Sequence, residues 1–410
     1  MRTSTADQLA IEGGTPVRTR PWPSWPVFDE REEQAILEVV RSGQWWSVGG
    51  TKVRQFEEEF ARFQDAQFAV CVTNGTAALE VALRAARIGC GDEVIVPPYT
   101  FIATATAVLS VGATPVFVDV EDESLNIDPR KIEEAITPRT RAIIPVHIAG
   151  CPADMDGVLE VARKYNLLVI EDAAQAHAAE WRGKKVGAIG DMGCFSFQAS
   201  KNLNAGEGGA VLTNDPHWAD MVWSVHNVGR IRGGRWYEHH VLGSNFRMTE
   251  FQAAILLCQL QRLPEQTERR TRNAQKLSEM LAQIPGIRPP RPDPRVTRHA
   301  YHLYIFRYHK EAFGGRPRDE FVKALSAEGV PCTPGYVPLY KERVFTNRPH
   351  SKDLCQLSAL KDYSRVHCPV CERACYEEAV WLYQNMLLGD EEDMADIATA
   401  ISKVQRAFTR

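Results

Sequence analysis

Three short runs bring together residue types that suit one shared chemistry. Thr73-Asn74-Gly75-Thr76-Ala77-Ala78 follows the apolar run Phe68–Val72 and opens a helical stretch. Gly75 permits a tight turn, and helix-start amides with the Thr76 hydroxyl can hold a phosphate. An ordinary helix cap is the plainer reading of the same residues. Glu171-Asp172-Ala173-Ala174-Gln175-Ala176-His177 follows the apolar Leu167–Ile170. Asp172 falls where a strand delivers a side chain into a cleft, and burying a carboxylate is costly unless a cation pairs with it. A carboxylate capping a neighbouring helix is the competing account. Gln198-Ala199-Ser200-Lys201-Asn202 follows Cys194–Phe197 and leads into the glycine-rich Gly206-Glu207-Gly208-Gly209. A lysine between a buried strand and such a turn can become a reactive amine if burial or a neighbouring cation lowers its pKa. A lone lysine is otherwise a solvated one.

Together the three runs fit one cofactor, pyridoxal 5'-phosphate. It needs an anion cradle, a carboxylate that keeps its ring nitrogen protonated, and a lysine for the Schiff base. An aromatic side chain against the ring often completes such a set. Phe101, in Val96-Pro97-Pro98-Tyr99-Thr100-Phe101, follows another strand end.

These side chains need elements to carry them. From Phe68 onward, apolar β-branched runs alternate with helical segments. Candidate strands are 68–72, 93–96, 115–118, 142–146, 167–170, 194–197 and 210–212, with helices such as 77–86 and 155–165 between them. Continuous apolar strands are buried on both faces. The alternation predicts an α/β fold, a mostly parallel sheet flanked by helices. Ligands of such sheets sit at the carboxyl ends of the strands, where the three runs lie. Residues 1–28, ending in PWPSWPVF, read as an irregular arm that packs its aromatics on something. Asp29 with Glu32 forms a capping box for a following helix. Residues 29–263 then form a large cofactor domain. Residues 264–410 form a smaller C-terminal α+β domain, with an aromatic strand near 301–308, a helix near 318–328 and a final helix from about Glu391.

Composition narrows the classes. The chain has 410 residues, 44% apolar and 24% charged, the profile of a globular protein with a proper core. Lys plus Arg is 48 against 52 for Asp plus Glu, a formal charge of −4, so no general footprint for nucleic acid or an anionic membrane is present. No apolar run of about 18 residues occurs, and the start lacks a signal-peptide core. The expectation is a cytoplasmic protein with its 10 cysteines as free thiols, mostly packed as small hydrophobes.

At the level of motifs the chain resembles the DegT/DnrJ/StrS sugar aminotransferases of fold type I. The resemblance runs from IEGGTPVR to the last helix. It is specific in TNGTAAL, VIVPPYTFIATA, VDV, IIPVHIAG, VIEDAAQAHAA, GCFSFQASKNLNAGEGGA and NFRMTEFQAAI. It implies that Lys201 forms the internal aldimine and shuttles the proton, that Asp172 pairs with the ring nitrogen, and that Gln175 contacts the ring hydroxyl. Phe101 would stack on the ring, and Gly75, Thr76 and Ser196 would hold the phosphate. Asn245, with Arg247 beside it, would reach the phosphate of a partner subunit, which makes a homodimer with shared sites the expected unit. Ala178 departs from the pattern, standing where many relatives carry glycine.

The resemblance lies nearest the branch acting on keto-cyclitols such as scyllo-inosose, with glutamate or glutamine as amino donor by a ping-pong route. A nucleotide-linked ketosugar is the neighbouring substrate class. A dehydrating or aromatising synthase and a non-catalytic sugar sensor are the competing functions. Substrate candidates are Tyr301, His302 and Tyr336, beside His299 and Tyr340. Arg230, with Arg232 and Arg235, could meet a carboxylate or diphosphate, and Trp45, Trp46, Gly49 and Gly50 resemble a substrate-side loop. One cluster lies outside the pattern: His367, Cys368, Cys371 and Cys375. Its spacing fits no standard metal site, so a structural role is expected and no metal is assigned.

Overall fold

The computed structural model describes residues 8–346 and 361–410. Its centre is a seven-stranded sheet. The strands are β1 (Phe68–Val72), β2 (Glu93–Val96), β3 (Thr114–Phe117), β4 (Thr140–Ile143), β5 (Leu168–Asp172), β6 (Met192–Ser196) and β7 (Gly209–Thr213). In spatial order they run β1-β7-β6-β5-β4-β2-β3. All are parallel except β7, which lies antiparallel between β1 and β6. Every expected strand is present, most displaced by one or two residues.

The sheet is wrapped because its strands are apolar on both faces. One face packs α3 (Gly75–Ala85), α4 (Ala103–Ser110) and α6 (Pro216–His226) through residues such as Val81, Leu83, Val108 and Val222. The other takes α2 (Lys52–Phe63) and α5 (Met155–Tyr165) through Phe56, Phe60 and Val158. A second, three-stranded antiparallel sheet comprises β8 (Ile287–Arg288), β9 (Leu303–Tyr308) and β10 (Ala379–Tyr383), with β9 central. It packs with α8 (Arg318–Ala327) and α9 (Glu391–Phe408) around Phe306, Phe321 and Ile401.

One 32-residue helix, α7 (Glu250–Leu281), serves both cores. Its first half buries Ala253, Leu256 and Leu263 with the large sheet, and its second half buries Ala274, Leu277 and Leu281 with the small one. Pro264 lies between the halves. After residue 264 the chain does not stay in the small layer throughout. Leu339, Phe345, Tyr363 and Cys371 pack with Phe117 and Val94 in the core of the large sheet.

The arm packs on the small layer. Leu9 is buried in its core, and Arg18 reaches Asp393 at 2.6 Å and Asp396 at 2.8 Å on α9. Cys368, Cys371 and Cys375 are buried, with 3.8 Å between the sulfurs of the last two, while His367 turns outward. Among the described residues no group of three or more His, Cys, Asp or Glu is arranged to hold a metal. Cys90, expected as a free thiol, is disulfide-bonded. Among the described residues no helix is long and apolar enough to cross a membrane.

The helix α1 (Glu30–Ser42) starts at the anticipated capping box, and that box is tied to α7. Glu32 accepts from the Asp29 amide at 3.0 Å, from Gln259 at 2.7 Å and from the buried Arg262 at 2.7 Å. Replacing Glu32 leaves Asp29 as the remaining carboxylate beside the Arg262 guanidinium. Glu32→Ala is therefore expected to lower unfolding stability by about 1–3 kcal/mol, read from chemical denaturation followed by circular dichroism.

Candidate active site

A cavity of about 980 Å³ opens where the two layers meet, at the carboxyl ends of the parallel strands. Gly75, Thr76, Phe101, Asp172, Gln175, Ser196 and Lys201 all line it, as do His302 and Tyr336. The three runs that stand far apart in sequence thus meet in one space.

The anion end is built by close approach. Asn74 caps α3, its side chain accepting from Ala77 N at 2.8 Å. The first residues of that helix, Gly75 and Thr76, face the cavity with the positive end of the helix dipole. A Cβ on Gly75 would stand 2.6 Å from Cβ of Ser196, so only glycine lets α3 and β6 approach this closely. A Cβ on Gly209 would meet the Asn74 carbonyl oxygen at 2.4 Å. The start of α3 and the Thr76 and Ser196 side chains are thereby brought together at one end of the cavity.

The acid end depends on strand alternation. Successive side chains on β5 point to opposite faces, so Glu171 and Asp172 have different surroundings. Glu171 accepts from Gly187, Ile189 and Gly190 amides at 2.7–2.8 Å and meets His147 at 2.9 Å. Although burial opposes it, these donors hold the Glu171 carboxyl below its ordinary range. Asp172 faces the cavity. It accepts from Thr104 Oγ1 at 2.7 Å and Ala174 N at 3.2 Å, and Thr100 stands 3.0 Å behind Thr104. Burial pushes the Asp172 carboxyl up, with Lys201 and these bonds pulling the other way. A cation against Asp172 would restore its charge.

Lys201 sits on a turn after β6, its amide donating to Gln198 O at 2.8 Å and its carbonyl accepting from Asn204. Burial lowers its ammonium to about 8, with Asp172 opposing. A sizeable fraction is then the free amine near neutral pH, which is what a nucleophilic lysine needs.

The polar groups on the walls are oriented by their outer neighbours. Gln175 accepts from Ala149 N at 2.7 Å and donates to the Tyr336 hydroxyl at 3.1 Å. Asn202 donates to Ala300 O at 2.8 Å, so its oxygen is left to accept from His302 Nδ1 at 3.3 Å. Burial keeps His302 neutral. With the proton on Nδ1, its Nε2 is an acceptor for a hydroxyl. Phe101 is 58% exposed at the cavity mouth.

Other expected residues lie elsewhere. Tyr301 does not line the cavity; it is buried in the small-layer core, stacked on His299 with ring centroids 3.8 Å apart. Its position next to His302 misleads, because neighbouring residues entering β9 face opposite ways. Arg230 is also outside the cavity, lying 4.0 Å over the Trp236 ring and donating to its carbonyl. Asn245 is exposed, and Arg247 is held by Asn227 at 2.9 Å; neither lines this chain's own cavity. Ala178 has φ of +68°, a conformation that favours glycine, so the alanine at that position is held in a backbone conformation costly to it.

Several wall residues were not anticipated. Trp25 of the arm covers the Lys201 turn, donating to Ala199 O at 2.9 Å. Thr333, Trp381, Gln384 and Asn385 enter from the small layer. The continuous apolar run Ala379–Tyr383, AVWLY, marks a strand and was the available signal for Trp381, Gln384 and Asn385.

Comparison with known proteins agrees with this geometry. A family model described as the DegT/DnrJ/EryC1/StrS aminotransferase family matches residues 26–385. An L-glutamine:2-deoxy-scyllo-inosose aminotransferase of Streptoalloteichus tenebrarius is 40% identical over 97% of this chain and 97% of its own. The 3-amino-5-hydroxybenzoate synthase of Amycolatopsis mediterranei is 37% identical over 93% of this chain and 96% of its own. A solved structure of 3-amino-5-hydroxybenzoic acid synthase superposes with a TM-score of 0.86 at 35% identity, covering 95% of this chain and all of that one. The α/β architecture is the fold type I expected from the motifs. With the match spanning most of the chain, this protein belongs to the DegT/DnrJ/EryC1/StrS aminotransferase family.

Proposed function

We propose that this chain is a pyridoxal phosphate-dependent aminotransferase that moves an amino group from L-glutamine to a keto-cyclitol of the scyllo-inosose type. The observation that carries the reaction class is the meeting of Lys201, Asp172 and the start of α3 in one cavity. The substrate class is supported by the named activity of the Streptoalloteichus relative, similar over nearly the whole chain.

The residues present fit the cofactor. The start of α3 with Thr76 and Ser196 would hold its phosphate, Asp172 its ring nitrogen, Gln175 its ring hydroxyl and Phe101 one ring face. Bound there, pyridoxal phosphate supplies an electron sink that makes the proton on an attached amine's carbon acidic. The protein moves that proton. Lys201 would take the proton from one carbon and return it to the other. Asp172 would keep the ring nitrogen protonated, with Thr104 holding the Asp172 carboxylate in place. The donor would leave as its keto acid, its amino group retained, before the ketone enters, so one set of walls meets both in turn. His302, Thr333 and Asn385 offer hydrogen bonds to the hydroxyls of a polyol.

A second reading is an aromatising synthase of the 3-amino-5-hydroxybenzoate kind, favoured by the likeness to that relative and that solved structure. Product analysis with 2-deoxy-scyllo-inosose and with an aminodehydroshikimate separates the two. Amination of the cyclitol ketone supports the first reading. Formation of an aromatic amine in its place overturns it.

We infer further that the active unit is a homodimer. Trp45, Trp46, Tyr237 and Leu242 leave a large apolar surface exposed, the last two at 87% and 84%, beside the exposed Asn245. Monomers rarely leave patches of this kind uncovered. Asn245 and Arg247 would then reach the partner's phosphate end.

Two outcomes follow. Lys201 must lose its proton to capture the cofactor. Capture by apoenzyme, followed by absorbance, should rise about tenfold per pH unit below about 8 and level off above it. Mixing Lys201→Ala with Asn245→Ala protomers should restore activity that neither homodimer has. A mixture as inactive as its parents removes the shared-site arrangement.

A further inference from the structure

Arg270 is the least compensated charge in the described structure. It lies on α7 with 0% exposure. Among the described residues no carboxylate lies within ion-pair distance of it. Its Nε and one terminal nitrogen both donate to Gln384 Oε1, at 3.0 and 2.6 Å. The other terminal nitrogen is buried with no partner. Burial lowers the guanidinium to about 9, which still leaves it charged at neutral pH. A buried cation without a counter-ion is costly, and an anion that arrives only with the substrate would relieve that cost.

The surroundings place this charge at the cavity wall. Gln384, which holds Arg270, lines the cavity and is 4% exposed. Trp25, another lining residue, has its ring 5.1 Å from the guanidinium. The charge of Arg270 also acts on His302, which faces the same space. Because the guanidinium occupies the Gln384 oxygen, the amide can turn only its NH2 outward. Gln384 Nε2 has no hydrogen-bond partner among the described residues. This wall therefore offers a fixed donor backed by a positive charge, while Asn385 beside it is turned by donating to Pro23 O at 2.7 Å.

We propose that Gln384 and Arg270 form the subsite for the carboxylate of the amino donor. Gln384 donates its amide N–H to the carboxylate. Arg270 is a positioning residue that fixes the amide and supplies the charge behind it. The subsite rests on the aminotransfer reading above. It assigns the donor's anionic group to the side of the cavity built by Trp25 and the small layer, away from the phosphate end at α3. The uncharged ketone gains nothing from the positive charge, so the wall distinguishes the two substrates that share the site.

The test uses holoenzyme and separates the half-reactions. L-Glutamine and its α-amide, which keeps the amine but lacks the carboxylate, are compared by absorbance. Glutarate binding is measured by calorimetry. Wild type is expected to prefer glutamine over the α-amide and to bind glutarate. Gln384→Glu, which pairs internally with Arg270 and turns the wall negative, should cut that preference about 30-fold or more and abolish glutarate binding. KM for the cyclitol ketone should change less than about threefold. Gln384→Met should behave likewise without the added charge, and Arg270→Lys should retain part of the preference. The two Gln384 variants decide the matter if Arg270 variants fail to fold. Unchanged preference in both, or no glutarate binding by wild type, overturns the subsite. If no amine converts wild type while glutarate binds and Gln384→Glu abolishes it, the wall binds a carboxylate but the aminotransfer reading falls, and the assignment to an amino donor falls with it.

Discussion

Burying the Asp172 carboxyl at the end of β5 costs roughly several kcal/mol unless charge or hydrogen bonds compensate, and Thr104 with Ala174 compensates only in part. The shortfall organises the site. Thr100, in the turn before α4, and Thr104, on it, aim one carboxylate oxygen, and the remaining deficit is a demand for a proton-bearing cation. A ring nitrogen that keeps its proton would meet that demand. Lys201 faces the reverse situation, a cation weakened by the same burial. The two groups are matched because the enclosure that raises one pKa lowers the other.

The adjacent Glu171 shows how narrow the distinction is. It differs from Asp172 by one methylene and one position along the strand. It meets three amides and a histidine and remains a structural carboxylate. Alternation along β5 decides which of the two faces solvent-accessible space. A single-residue slip in register would exchange their environments. The pairing of β5 with β4 and β6 on both sides holds that register.

Much of this was legible in the sequence because local rules govern the large layer. Apolar runs, several of them β-branched, marked the strands of its sheet, and the residues that follow three of them meet in one cavity. Gly75, Asp172 and Lys201 stood out only jointly, by their fit to one cofactor; each alone had a plainer reading. The small layer's share was harder to see. Trp25 and Gln384 lie far from the motifs in sequence, and nothing local says that a Pro-rich arm and a residue after AVWLY will close the same cavity. His302 was found and Tyr301 misplaced for the same reason: the choice between them depends on which way β9 faces, and β8 and β10, which set it, are distant in sequence. The departure at Ala178 was visible, but its meaning needed the positive φ.

The clasp between Arg18 and Asp393 joins positions 375 residues apart. Its consequence concerns the order in which the molecule can be completed. Arg18 and Trp25 leave the ribosome well before the helix that anchors them, α9. Domains generally fold as units during synthesis, N-terminal first. The central sheet can form while the arm still lacks its anchor. The cover that Trp25 forms over the Lys201 turn then waits for α9, so a nascent chain acquires the strand ends that line the cavity well before it acquires the arm that closes over them.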